Sequence, residues 1–181
     1  MRDPRLSSEP VYQGRVITLR KDVYQNPEGK PYTRFVLEHD PAVVIVPVLD
    51  DGRVVLVHQY RHSVGKYLYE FPAGLIDLNE DPEVAAHREL AEETGYRAAS
   101  MRRLTGGFPA PGFCDEYLHF YLAEGLTLGS QNLDEDEVLE PLAVSFAELG
   151  TWISEGKVED IKTMMIYLYL CRFGQDYGLR L

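Results

Sequence analysis

Extended runs dominate the first part of the chain, and helical periods dominate its middle and end. Residues 11–24 and 32–38 flank the turn signal Asn26-Pro27-Glu28-Gly29, which predicts an antiparallel hairpin or small sheet. Two strands alone are marginally stable, so this element should pack on the main domain or on a second chain. Residues 42–46, Ala-Val-Val-Ile-Val, read as a buried strand. Asp50-Asp51-Gly52 turns the chain into a second such strand over 53–60. A third extended piece, 67–71, ends at Pro72-Ala73-Gly74. Residues 82–94 form the clearest helix, with Asp81 as cap, Pro82 in the first helical position and Gly95 as stop. Strands follow at 101–104, 116–122 and 139–144. Helices follow at 146–155, capped by Ser145, and at about 160–173, with Met164, Met165 and Leu168 as its inward face. One central helix and two terminal ones among many strands predict an α/β fold, an α/β/α sandwich around a mixed sheet. The strand-rich region 1–40 is read as a β appendage and 41–181 as the main domain.

Composition narrows the function. The 181 residues carry 18 Lys+Arg against 29 Asp+Glu, a net charge of −11, which lacks the basic footprint of a nucleic-acid binder or an anionic-lipid binder. An anionic substrate would need a bound cation to offset the repulsion. Cys114 and Cys171 stand in no metal spacing, which fits a reducing cytoplasm. Residues 1–10 contain no apolar core, so no secretory leader is expected, and no apolar run is long enough to span a bilayer.

The central helix is rich in acid: Arg88-Glu89-Leu90-Ala91-Glu92-Glu93. With Glu89 at zero and about 100° per residue, Glu93 falls near +40° and Glu92 near −60°. Val84, His87, Ala91 and Thr94 fall opposite, which predicts that they pack on the sheet and that the carboxylates face outward. Two carboxylates about 6 Å apart repel by roughly 3 kcal/mol at an effective dielectric near 20. No Lys relieves the cluster, but a hard divalent cation would, and oxygen ligands select Mg²⁺ or Mn²⁺.

Gly74, five residues, Glu80, seven residues, then Arg88-Glu89-Leu90-x-Glu92-Glu93-x-Gly95 resembles the Nudix box at all eight fixed positions. Tyr96 departs softly from the small aliphatic residue usual there. The resemblance implies a hydrolase of nucleoside diphosphates linked to another group, using Mg²⁺ or Mn²⁺. It implies metal-ligand positions at Glu89, Glu93 and Glu92, with the Ala73 carbonyl joining them. It also implies an orienting Arg88–Glu80 pair.

Gly106 to Glu116, with Pro111-Gly112 15 residues past Tyr96, resembles the ADP-ribose and nucleoside-diphosphate-sugar pyrophosphatase branch. So do His58-Gln59-Tyr60-Arg61, Tyr69-Glu70-Phe71-Pro72, Glu38-His39-Asp40-Pro41 and Asp160-Ile161-Lys162-Thr163. The branch implies substrate contacts from Arg61, Pro111, Gly112 and Glu116, and from Glu70, which either binds a ribose hydroxyl or pairs with Arg61, with Arg34 and an aromatic such as Tyr12 for the base. The acidic stretch 134–137 would then approach the metal, Glu137 as ligand and Glu135 as base, with the box glutamates as alternative bases. The expected reaction releases a nucleoside monophosphate and a sugar phosphate. Region 1–40 would make a homodimer. The competing readings are a Nudix enzyme that removes modified nucleoside triphosphates, and a nucleotide-sugar sensor that no longer hydrolyses.

Overall fold

The computed structural model describes residues 5–132 and 138–179. The chain divides into two compact units, residues up to Pro41 with Gly107–Leu118, and Ala42–Gly106 with the residues from His119 onward.

The first unit is a three-stranded antiparallel sheet, β1 (Arg5–Gln13), β2 (Ile17–Gln25) and β3 (Pro31–His39), in that order. The single extended run expected over 11–24 is therefore two strands. Gly14 breaks it: its N–H donates to the Ile17 carbonyl at 2.9 Å, and a Cβ there would meet Tyr12 at 3.0 Å. The turn after β2 is where Asn26 predicts it. The Asn26 side-chain oxygen accepts from the N–H groups of Glu28 and Lys30, and Gly29 takes φ 84°, the left-handed region glycine favours. Gly107–Leu118 joins this sheet through Leu37, whose N–H donates to Phe113 at 2.7 Å and whose carbonyl accepts from Asp115 at 3.2 Å.

In the second unit, β4 (Ala42–Pro47) is buried at every position, as its unbroken apolar sequence requires. It lies between β7 (Ala73–Leu75) and β9 (Leu118–Leu128), with β8 (Tyr96–Gly107) beyond β9. Val43 and Ile45 point to one face, where Ala85, Ala86 and Leu90 of α1 (Pro82–Thr94) cover them with Ile76, Met101, Tyr121 and Ala123. Val44 and Val46, on the other face by the period of two, are equally buried. A second sheet orders β10 (Leu139–Val144), β5 (Val54–Arg61) and β6 (Lys66–Glu70), all antiparallel. Helices α2 (Phe146–Ser154) and α3 (Ile161–Phe173) are capped by Ser145 and Asp160.

Two expectations about helix faces are corrected. In α3 the buried residues are Thr163, Ile166 and Leu170, spaced by three and four, whereas Leu168 is 62% and Met165 37% exposed. The helix is apolar nearly all round, so its periodicity does not single out the inward side. In α1, Val84 and His87 are exposed, and the buried residues are Ala85, Ala86, Glu89, Leu90, Glu93 and Thr94. At about 100° per residue these span roughly half the helix circumference, with Glu93 near the middle. Glu89 and Glu93 are thus on the inward side, while Glu92 lies at its margin, half-buried. Among the described residues no helix is long and apolar enough to cross a membrane.

Candidate active site

The site grows from the two ends of one tight segment, 70–75, and the helix beneath it. Asp81 Oδ1 accepts from the Glu83 N–H at 2.8 Å, Pro82 follows it, and Gly95 ends the helix at φ 75°. Those signals set the register that brings Glu89 and Glu93 under β7. Glu93 is 1% exposed and Glu89 9%. The Ala73 N–H donates to Glu93 Oε2 at 3.0 Å. Gly74 lies directly over Glu89: a Cβ at that position would sit 2.1–2.3 Å from the three carboxylate atoms. Gly74 has no positive φ, so space for a carboxylate is what glycine provides there.

Arg88 holds the acidic groups together. Its Nε and Nη2 donate to the two oxygens of Glu80 at 3.0 and 2.8 Å, and Nη2 also donates to the Leu75 carbonyl at 2.9 Å. Its Nη1 donates to Glu89 at 2.6 Å and to Glu92 at 3.0 Å. One planar fork with five N–H donors therefore orders three carboxylates and the end of β7. The Arg88–Glu80 pair expected from sequence is present.

Glu80 accepts in addition from the Asp77 N–H at 3.0 Å. The Arg88 guanidinium bonded to it holds its carboxyl below the ordinary value of 4.5, against a smaller upward push from burial. A carboxyl depressed in the folded chain contributes stability that is present above its unfolded value and is lost as pH falls through the folded one. Glu80→Gln is therefore expected to make the acid limb of the stability curve shallower below about pH 4.5. Urea unfolding from pH 3 to 7 checks this, and a limb as steep as that of the unmodified chain would contradict it.

Arg61 and Glu70 form a forked pair, Nε to Oε1 at 2.7 Å and Nη2 to Oε2 at 2.6 Å. Glu70 is 1% exposed. Burial pushes its carboxyl up, but Arg61 and Lys162 outweigh that and hold it below the ordinary range. Among the described residues Arg61 Nη1 makes no hydrogen bond. Glu93 lies within its electrostatic reach.

The C-terminal end of α1 carries contacts that the sequence did not announce. Asn132 donates its N–H to the Glu92 carbonyl at 3.1 Å, and Gln131 Nε2 donates to the Glu93 carbonyl at 2.5 Å. On the other side of the acidic stretch, the Val138 carbonyl accepts from the Tyr60 N–H at 3.2 Å, next to Arg61. Glu135 and Glu137 themselves lie outside the described residues.

The remaining sequence candidates belong to the first unit. Arg34 is exposed and stands over the Tyr32 ring, 4.8 Å from its centroid. Pro111 and Gly112 are exposed in the turn where the Ala110 carbonyl accepts from Phe113 and Cys114. Glu116 lies 3.7 Å from His39 Nδ1.

The carboxylates on α1 are all-oxygen donors, buried at Glu89 and Glu93 and half-buried at Glu92, which fits a hard divalent cation. Among the described residues no three acidic, imidazole or thiol groups converge on one point as they stand. Arg88 Nη1 is shared by Glu89 and Glu92, while Glu93 takes the Ala73 N–H.

These features define a Nudix site, and the chain belongs to the NUDIX domain family, whose model matches residues 38–167. The chain is 34% identical over 172 residues to an ADP-ribose pyrophosphatase of Bacillus subtilis, covering 94% of this chain and 93% of the relative. It is 36% identical over 167 residues to a methanol dehydrogenase activator of Bacillus methanolicus, covering 91% and 90%. It is 34% identical over 147 residues to a GDP-mannose pyrophosphatase of Yersinia enterocolitica, covering 76% and 74%. A solved structure of an ADP compounds hydrolase shares the fold, with a TM-score of 0.86 over 98% of this chain and 97% of that one at 23% identity.

Proposed function

We propose that this chain is a divalent-cation-dependent pyrophosphatase that hydrolyses the diphosphate of ADP-ribose or a related nucleoside diphosphate sugar to a nucleoside monophosphate and a sugar phosphate. The observation that carries the reading is the buried Glu89–Glu93 pair beneath Ala73 and Gly74, with Arg61, whose Nη1 is unbonded among the described residues, in electrostatic reach of Glu93. The relatives named ADP-ribose pyrophosphatase and GDP-mannose pyrophosphatase support the substrate class.

Glu89, Glu92 and Glu93, with the Ala73 carbonyl and Glu137, would hold Mg²⁺ or Mn²⁺. Such an ion, when bound, screens diphosphate charge and acidifies a bound water. Arg61 offers Nη1 to a diphosphate oxygen, a role that suits its planar fork. Glu70 fixes the plane of that fork. Arg88 holds Glu89 and Glu92 in place through Nη1 and anchors itself on Glu80 and Leu75. Glu135 is the candidate that takes the proton from the attacking water. The anchoring of Asn132 on Glu92 and of Val138 on Tyr60 supports assigning the acidic stretch to this site. Arg34, Pro111, Gly112 and Glu116 are kept as candidate substrate contacts. Glu116 and Arg34 are tested singly by the Michaelis constant of their Gln variants.

The test is a panel of ADP-ribose, ADP-glucose, GDP-mannose and deoxyguanosine triphosphate, with Mg²⁺ and with EDTA. The reading expects a diphosphate sugar to lead, and preference for the triphosphate would overturn it.

We also infer a cytoplasmic homodimer. Both cysteines are free thiols, which suits a reducing compartment. Every residue of β1 is exposed, including Leu6, Val11 and Tyr12, and Phe35 adds to that apolar surface. Sedimentation at micromolar concentration should give a dimer. A fully active monomer would contradict it.

A further inference from the structure

The first turn of α3 grips the strand end that feeds the site. Lys162 Nζ donates to Glu70 Oε2, on the same carboxylate that Arg61 holds. Lys162 also donates to Asp160 Oδ1 at 3.0 Å, while Asp160 Oδ2 accepts the Thr163 N–H at 2.9 Å and caps the helix. The ammonium is therefore fixed between two carboxylates. One residue on, Thr163 Oγ1 accepts the Phe71 N–H at 2.9 Å. The same turn thus pins the side chain of Glu70 and the backbone of Phe71, just before the Ala73 N–H that meets Glu93.

A tie between α3 and β6 needs only Thr163 and the cap. A largely buried ammonium costs desolvation and adds something a tie does not require. What it adds is charge on Glu70. Facing Arg61 alone, the buried Glu70 carboxylate would spend its full charge on that guanidinium. Shared with Lys162, it holds Arg61 in plane while leaving positive charge for an anion at Nη1.

We propose that Lys162 is a positioning residue for Arg61: by sharing the Glu70 carboxylate it keeps the guanidinium presented to a diphosphate. The proposal rests on the reading of Arg61 as a diphosphate contact.

The experiment measures inorganic pyrophosphate binding by calorimetry and ADP-ribose kinetics on the full chain. It uses Lys162→Met, Lys162→Arg, Glu70→Gln and the Lys162→Met/Glu70→Gln double variant. Lys162→Met should weaken pyrophosphate binding and raise KM by about tenfold, within the range of coupled charge networks, with kcat changed by less than about threefold. Lys162→Arg should restore both. In the Glu70→Gln background the added effect of Lys162→Met should fall below about twofold. Thr163→Val, which removes the Phe71 bond and no charge, should lower Tm and leave KM within about twofold. The proposal is overturned by an unchanged dissociation constant in Lys162→Met, by equal effects in both backgrounds, or by Thr163→Val matching Lys162→Met. Tight pyrophosphate binding without ADP-ribose turnover would remove the substrate reading and leave this inference standing. No pyrophosphate binding by the unmodified chain, with ADP-ribose still turned over, would overturn this inference and leave the substrate reading standing.

Discussion

Glu93→Gln is expected to lower turnover on ADP-ribose by at least about a hundredfold, equivalent to about 2.7 kcal/mol of barrier, with the fold intact. Glu93 is 1% exposed in the middle of the buried stripe of α1. Its hydrogen bond from the Ala73 N–H survives in Gln, whose side-chain oxygen also accepts. What Gln lacks is the negative charge, which is costly to bury. The variant should therefore keep or gain thermal stability without added metal while losing activity. Steady-state kinetics at saturating Mg²⁺ beside a melting curve checks both halves. Near-normal turnover would remove Glu93 from the metal site.

Gly74→Ala is the second large effect. The added methyl would sit 2.1–2.3 Å from the Glu89 carboxylate, which is itself tied to Arg88 at 2.6 Å, so swinging it aside breaks that bond. Relieving the clash must move β7 or displace the carboxylate. A stability loss of about 1–3 kcal/mol is expected, as for other overpacked sites. Turnover should fall at least about tenfold, in line with the sensitivity of positioned groups to small shifts. A second substitution separates the two causes. Gly74→Ala/Glu89→Ala removes the clash, so it should recover stability but not activity. Recovery of activity would show that Glu89 is not needed, and no recovery of stability would show that the clash lies elsewhere.

Local punctuation made much of this chain legible. Asp81-Pro82 and Gly95 bound α1 at the residues the structure shows, and Ser145 caps α2 as expected. The spacing of Gly74, Glu80 and Arg88 to Gly95 marked the site's residues, because a box of fixed intervals is a local signal. The side of α1 that faces inward was misread. Placing the carboxylates outward follows from the cost of burying charge. In the structure that cost is met by the Ala73 N–H and the Arg88 fork. The Ala73 N–H comes from a strand that no helical wheel contains, and Arg88 is held in place by Glu80 and the Leu75 carbonyl outside the helix.

Contacts between distant residues left no trace in the sequence pattern. Lys162 reaches Glu70, and Thr163 reaches Phe71, each across 92 residues. Gly107–Leu118 joins the N-terminal sheet through Leu37 backbone bonds that no residue type announces. The break at Gly14 was readable in principle, since a lone glycine in an extended run marks a bend.

The central claim is that the α1 carboxylates hold a divalent cation used for diphosphate hydrolysis. Its most direct measurement is Mn²⁺ titration of the free unmodified chain and of Glu93→Gln, read beside AMP and ribose 5-phosphate release from ADP-ribose. The account predicts saturable Mn²⁺ binding that weakens in Glu93→Gln, together with product release that needs the metal and stops in EDTA. Undiminished AMP release in EDTA, or Mn²⁺ binding unchanged by Glu93→Gln, would contradict it.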